Sequence, residues 1–497
     1  MKAVLAVDQG TTGTTCLVLD EASRVIGRGY SEFTQHYPQP GWVEHDASEI
    51  WETTRRVART AIEAARERHP LVELAGVGIT NQRETIVLWE RATGQPVTRA
   101  IVWQDRRTAG RCRELKEQGR EAWVRERTGL VLDPYFSGTK LEWLLGRDTL
   151  RRRAEAGELA AGTIDTWLVW QLSGGSVHVT DPTNASRTLL YHIDRLDWDD
   201  ELLALFGVPR ALLPEVRASA ETYGETAPAA LGLTLPIAGI AGDQQAALFG
   251  QGCVTAGLAK NTYGTGAFLL LNTGRERVAS RSGLLTTLAC GPRGEPAYAL
   301  EGSIFVAGAA VQWLRDGLRI IDSAEQTDAL ARGLQSNDGV YFVPAFAGLG
   351  TPHWNAEARG TIVGLTRGSG RAHLVRAALE AMAYGTHDVL SAMERDAGID
   401  ARELAVDGGA SLNDWLMQFQ ADVIGLPVTR PALVETTALG AAGLAGIATG
   451  VWRDAAHFLG ERTQPTRFEP RATAVEREAL LAGWTRALGA ALAWANA

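Results

Sequence analysis

A chain of 497 residues is too long for one compact core, so two domains are the first expectation. With 45% apolar residues, 22% charged residues and a net charge of -9, the composition is that of a soluble globular protein and argues against a nucleic-acid surface. The four cysteines, Cys16, Cys112, Cys253 and Cys290, form no Cys-x-x-Cys pair, which disfavours a metal knuckle and suits reduced thiols in a cytoplasm.

In chain order, the apolar start at residues 1–7 is too short for a signal peptide. Residues 1–20 read as a β-hairpin: the apolar run Val4-Leu5-Ala6-Val7, the turn Asp8-Gln9-Gly10-Thr11-Thr12-Gly13-Thr14-Thr15, then Cys16-Leu17-Val18-Leu19. Residues 50–68 have helical spacing, with Trp51, Val57, Ala61 and Ala65 on one side. Residues 74–79 and 85–89 read as strands around a polar hairpin tip, Thr80-Asn81-Gln82-Arg83-Glu84. An apolar strand at 235–241 leads into Gly242-Asp243 and a helix at 244–249, with Asp243 placed to cap it.

The pattern then begins again. Gly257-Leu258-Ala259-Lys260, Asn261-Thr262-Tyr263-Gly264-Thr265-Gly266 and Ala267-Phe268-Leu269-Leu270-Leu271 form a second Gly/Thr hairpin. A strand at 297–300, a helix at 304–318, a strand at 339–344 and a long helix at 374–396 follow. A strand at 404–407 enters the turn Gly408-Gly409-Ala410-Ser411, and a helix spans 413–424. The small-residue run at 438–450 reads as a packed helix, not a membrane span. Since each half opens on a Gly/Thr hairpin, we expect a duplication, with domains at 1–251 and 252–497.

The two hairpin tips offer backbone N–H groups and hydroxyls, and two such tips facing each other would cradle a polyphosphate. The four lysines, Lys2, Lys116, Lys140 and Lys260, lie in no G-x-x-x-x-G-K-[ST] loop, which excludes a P-loop. Asp8 could hold Mg²⁺ beside phosphates, or simply form the turn. Thr265 lies between two glycines that allow close approach, as in any tight turn. Gly408-Gly409 ahead of Asn413 fits a strand–glycine–helix nucleotide site or tight packing. Asp243 at a strand–helix junction is a candidate base or a helix cap. Arg83, donor only, and Glu84, acceptor only, could together satisfy a hydroxyl, or form a surface ion pair. Trp103 and Phe268 are aromatics beside polar tips, where core packing is the alternative.

Taken together, the chain resembles the FGGY carbohydrate kinases, in the branch that acts on glycerol. The resemblance rests on the Asp8–Thr12 turn, Pro40-Gly41-Trp42-Val43-Glu44-His45-Asp46, Asn81-Gln82-Arg83-Glu84, Ile101-Val102-Trp103-Gln104 and Asp133-Pro134-Tyr135-Phe136. It continues through Asp181-Pro182-Thr183-Asn184, Gly242-Asp243-Gln244-Gln245, the Lys260–Gly266 turn and Val406-Asp407-Gly408-Gly409-Ala410. It implies two actin-like (ribonuclease H-like) α/β domains with ATP in the cleft between them. It also implies transfer of phosphate from ATP to glycerol, a cytoplasmic enzyme and, as partners, glycerol, ATP and further copies of the chain in a dimer or tetramer. The polyol pocket would fall on Arg83, Glu84, Trp103, Tyr135, Asp243, Gln244 and Phe268, with Asp243 as general base. ATP would meet Thr11, Thr12, Gly13, Thr265, Gly308, Gln312, Gly409 and Asn413, and Asp8 would serve Mg²⁺. A sister kinase for another polyol or ketose, or an actin-like ATP switch, are the rival readings.

Three segments depart from the family pattern: Thr15 replaces a common Arg, Gly350-Thr351-Pro352-His353-Trp354-Asn355 replaces Gly-Ala-Pro-Tyr-Trp-Asp, and the 226–235 segment holds no Arg, Lys or His. A bisphosphate needs clustered donors and positive charge. Fructose 1,6-bisphosphate is therefore expected not to inhibit; saturable inhibition in a titration against initial rate at fixed Mg²⁺ would contradict this.

Overall fold

The computed structural model describes residues 1–460 and 464–495. Two sheets organise it. The first runs, edge to edge, Ala220–Glu225, Pro236–Gly242, Glu73–Asn81, Lys2–Gln9, Gly13–Asp20 and Val25–Glu32. Lys2–Gln9, Gly13–Asp20 and Val25–Glu32 pair antiparallel, while Glu73–Asn81 lies parallel to both Lys2–Gln9 and Pro236–Gly242. The second sheet repeats that order. Pro296–Ile304, Ala267–Gly274 and Leu258–Tyr263 are antiparallel neighbours, and Glu403–Gly408 and Val428–Arg430 then add parallel strands. Both expected hairpins are present, and the shared strand order is the structural form of the repeated sequence pattern.

The inner strands Lys2–Gln9, Gly13–Asp20 and Pro236–Gly242 of the first sheet are buried on both faces, which is why they read as apolar runs. Ala3, Leu5 and Val7 face one way, against Val57, Ala61 and Ala65 of helix Ala47–Arg68. That helix begins where the Asp46 carboxylate accepts the Ser48 and Glu49 amides at 2.8 and 3.3 Å. Trp51, expected on the buried stripe, is only half-buried. Val4 and Ala6 face the other way, against Ala438, Leu439 and Ala442 of helix Thr436–Ala448. That helix is the small-residue run, and it lies on the first sheet although it comes late in the chain. Among the described residues no helix is long and apolar enough to cross a membrane.

Helix Asp243–Gly250 lies between the two sheets, with Ala246 and Phe249 in the layer of the first and Leu248 in that of the second. It meets Thr436–Ala448 with almost no side chain between them. A Cβ on Gly440 would stand 1.8 Å from the Ala246 carbonyl oxygen, and one on Gly78 would stand 2.1 Å from that of Ala441. The glycines are there for backbone contact.

Three expectations change. The Thr80–Glu84 segment is no hairpin tip: Glu73–Asn81 and Ile86–Glu90 belong to different sheets, the latter pairing with Leu159–Thr163 and Ala100–Ile101. Glu84 takes a φ of 62° and the chain crosses from one sheet to the next there, so all five residues of the segment are buried. Asp243 is not the cap of its helix. Gly242 holds that position, and the Asp243 carboxylate accepts the adjacent Gln244 amide at 2.8 Å rather than the amides further into the turn. The helix expected from 304 begins at Gly308, because strand Pro296–Ile304 runs on to its pairing with Ala267, and the helix ends in a π-turn at Trp313–Gly317.

The variant segment at 350–355 is a wedge: His353 meets Asp388 at 3.3 Å, Trp354 donates to the Gly283 carbonyl at 2.9 Å, and Asn355 accepts the amides of Glu357 and Ala358.

Gly440→Ala is expected to cost about 3 kcal/mol, the upper end of an overpacked contact, because the clash is with backbone that cannot turn aside. A fall in the urea midpoint at unchanged slope measures it; an unchanged midpoint refutes the contact.

Candidate active site

The parallel strands of the first sheet end together. Gln9 and Gly242 both stand opposite Asn81, so the first Gly/Thr turn, the Gln82–Glu84 crossing and the start of helix Asp243–Gly250 meet at one edge. In the second sheet Tyr263 stands opposite Gly408, bringing the Thr265 turn beside Gly409. Gly408 has a φ of +82°, and a Cβ there would fall 2.2 Å from the Tyr263 carbonyl oxygen, so only glycine fits this corner.

Between these edges lies a buried knot of charge. Arg83 grips Glu301 with both arms, Nη1 to Oε2 at 2.6 Å and Nη2 to Oε1 at 3.0 Å. It also donates to Gln245 Oε1 at 3.2 Å and to the Tyr135 hydroxyl at 3.3 Å, and its Nε stands 3.3 Å from Asp243 Oδ1. Arg187 donates through Nε to Glu84 at 2.7 Å and through Nη2 to Glu301 at 3.0 Å. Arg83, Glu84, Arg187 and Glu301 are each at most 2% exposed, whereas Asp243 is 30% exposed. Burial alone would raise the Glu301 carboxyl, but the guanidiniums of Arg187 and Arg83 outweigh it and hold it at about 2. Burial lowers the Lys260 ammonium to about 8 despite the charges of Asp407 and Asp243. Lys260 donates to Gln244 Oε1 and, at 2.8 Å, to Thr262.

Around the knot, Trp103 meets Tyr135 edge-on at 5.5 Å, and its indole N–H donates to Thr11 Oγ1 at 2.9 Å. Phe268 is half-buried opposite Thr262 and Ser303, on the sheet face that carries Lys260 and Glu301. Burial, with the charges of Asp243 and Glu435, pushes Asp8 up to about 7. Further along, a cavity of about 670 Å³ is lined by Thr265, Gly308, Gln312, Gly409 and Asn413 among others. That volume suits a nucleoside-sized ligand.

Description of the N-terminal domain of the FGGY family of carbohydrate kinases matches residues 3–250, and that of the C-terminal domain matches residues 259–449. The chain belongs to the FGGY family. Among its FGGY relatives, a protein named glycerol kinase 2 from Thermotoga maritima is 55% identical over 495 residues, and one named glycerol kinase from Carboxydothermus hydrogenoformans is 57% identical over 495 residues. Each alignment covers 99% of both chains. A crystal structure of Plasmodium falciparum glycerol kinase with ADP superposes with a TM-score of 0.93 at 35% identity, covering 99% of this chain and 98% of that one. The two sheets with their flanking helices are thus the actin-like, ribonuclease H-like domains of FGGY kinases.

The fold of this FGGY kinase gathers Arg83, Glu84, Tyr135 and Asp243 into one bonded network, with Trp103 and Gln244 at its edges. It sets the five candidate nucleotide residues of the second half around one cavity, but Thr11, Thr12 and Gly13 lie outside that lining, at the other hairpin. Gly13 is buried at the start of its strand, while Thr12 is exposed. The Asn413 amide accepts from Leu416 N at 2.9 Å and donates to Thr327 at 3.0 Å, which fixes its orientation while half of its donor and acceptor capacity remains. Sequence reasoning missed Glu301, Arg187, Gln245 and Lys260. Glu301 and Lys260 had a signal: each is the lone charge in an otherwise uncharged strand.

Removing Glu301 leaves two buried guanidiniums under-paired, so Glu301→Gln is expected to cost about 3–5 kcal/mol at neutral pH. Its folded carboxyl titrates below the unfolded value of 4.5. The stability it supplies is therefore complete above that value and drains away as pH falls toward 2. Denaturant titrations from pH 7 to pH 2 should show a shallower acid loss in the variant; parallel curves would contradict the assignment.

Proposed function

We propose that this FGGY kinase transfers the γ-phosphoryl group of ATP to glycerol, giving sn-glycerol 3-phosphate and ADP. The observation that carries the reading is Asp243: a part-exposed carboxylate 3.3 Å from a guanidinium that Glu301 locks in place, at the edge where the first Gly/Thr turn ends. The names of the relatives at 55% and 57% identity agree with it. We place the reaction in the cytoplasm, which suits four buried cysteines.

In this reading Arg83 and Glu84 orient two polyol hydroxyls, and Trp103, Tyr135 and Phe268 wall off the carbon chain. Asp243 accepts the proton of the attacking hydroxyl as its oxygen bonds to phosphorus and the bond to the bridging oxygen of ADP breaks. Little charge builds on the attacking oxygen early in a loose transition state, so a weak base suffices when it is well placed. Gln244 is held for its contact by Lys260. The second-half cavity takes the nucleoside, and the two Gly/Thr turns take the phosphates.

Asp8 fits a divalent cation. It is a half-buried carboxylate beside the negative charges of Asp243 and Glu435, a repulsion that a cation relieves. Among the described residues no group of three or more His, Cys, Asp or Glu side chains forms a protein cage. Asp8 would therefore share Mg²⁺ with water and phosphate oxygens, the usual habit of that ion, which neutralises charge on the transferring group.

Release of ADP that depends on glycerol, and is weaker with other polyols and ketoses, tests the substrate. Asp243→Asn should lower kcat by about 10²- to 10⁴-fold while glycerol affinity stays close to that of the parent enzyme. Near-parental turnover would remove Asp243 from the role.

A further inference from the structure

The two Gly/Thr turns hold their carbonyl groups alike but by different means. In the second turn the Gly264 carbonyl accepts the Gly308 amide at 3.0 Å, and that of Thr265 accepts the amides of Ala307 and Ala309 at 2.9 and 3.1 Å. Backbone does the holding. In the first turn side chains do it. The Gly10 carbonyl accepts Gln82 Nε2 at 3.2 Å and Gln9 Nε2 at 2.8 Å, and the Thr11 carbonyl accepts Gln35 Nε2 at 3.0 Å. His45 joins the two glutamines: Nε2 meets Gln35 Oε1 at 2.7 Å and Nδ1 meets Gln82 Nε2 at 3.4 Å.

Each partner fixes the next. Gln35 spends its N–H on Thr11, so its oxygen must accept, and His45 carries its proton on Nε2. Nδ1 is then a bare acceptor facing the Gln82 amide. Burial above all, with His36 nearby, lowers the ring to about 4 and keeps it neutral. Phe33 sets the ring plane from an edge-on contact at 4.9 Å. His45, Gln82 and Gln9 are at most 1% exposed.

In a trans peptide the C=O and the following N–H point in opposite directions. Tying the carbonyls of Gly10 and Thr11 inward therefore aims the N–H groups of Thr11 and Thr12 outward, and neither has a protein acceptor among the described residues. Resting on the phosphate-binding reading above, we propose that His45, through Gln35 and Gln82, is a positioning residue that aims these two amides at the transferred phosphate. The second turn reaches the same arrangement without side chains, so the requirement belongs to the geometry of the turn and the relay is how the first half meets it.

The test compares ATP and adenosine binding by calorimetry on the full enzyme, beside steady-state rates, for His45→Phe, Gln35→Met and His45→Gln. Gln35 is only half-buried, so its variant guards against a folding failure at His45. We expect His45→Phe and Gln35→Met to weaken ATP binding and lower kcat by about 10- to 100-fold, the worth of hydrogen bonds to a charged group. Adenosine and glycerol affinities should stay within about twofold, and His45→Gln, which keeps a donor and an acceptor, should recover most of the loss. Parallel loss of ATP and adenosine binding, or kcat and ATP affinity within about twofold of the parent in both variants, overturns the relay alone. A parent enzyme that binds ATP no more tightly than adenosine overturns the phosphate-binding reading, and the relay with it.

Discussion

The salt-linked square of Arg83, Glu301, Arg187 and Glu84 is the constraint on which the site depends. Burying four charges costs several kcal/mol per ion before pairing, and a packed apolar floor would be cheaper. What the square supplies is direction. A guanidinium held by both oxygens of one carboxylate has a fixed plane, and Arg83 also meets Gln245, Tyr135 and Asp243 in that plane. Three of the corners come from the first half of the chain and Glu301 comes from the second, so the square also joins the two halves beside Asp243. Arg83 is thus a structural residue as well as a candidate for the site, and truncating it would break the square.

Much of the frame was legible because its signals are local. Both Gly/Thr hairpins lie between apolar runs, and each half repeats the same succession. The helix at residues 50–68 and the long helix near residue 380 follow from spacing alone. The crossing at Thr80–Glu84 was misread for a physical reason. Two apolar runs around a polar stretch describe a hairpin and a crossing between sheets equally well. The one clue was that those five residues include no glycine, although Glu84 takes a left-handed conformation. Asp243 was read as a cap because capping and exposure toward a cleft favour the same residue at the same junction.

The square itself lay beyond local reading. Arg83 and Glu301 are 218 positions apart, and Arg187 and Glu84 are 103 apart. No periodicity connects them. A charge inside an apolar strand announces that a partner exists without saying where, and only the packing of the strands supplies it. The cavity in the second half shows the opposite case: Thr265, Gly308, Gln312, Gly409 and Asn413 were named from short motifs and resemblance, and the fold sets them around one cavity.

The seam between helices Asp243–Gly250 and Thr436–Ala448 has a mechanical meaning. Where Gly440 lies against the Ala246 carbonyl there is no layer of side chains to re-pack. Sliding along such a seam would drive backbone into backbone at the next residue that is not glycine. One helix of the pair carries Asp243 at its first turn, and the other grips the first sheet through Gly78. The pair therefore ties the first turn that carries Asp243 to the first sheet through backbone alone, so that a shift of either helix would be passed on to Asp243 with no side chain in between to absorb it.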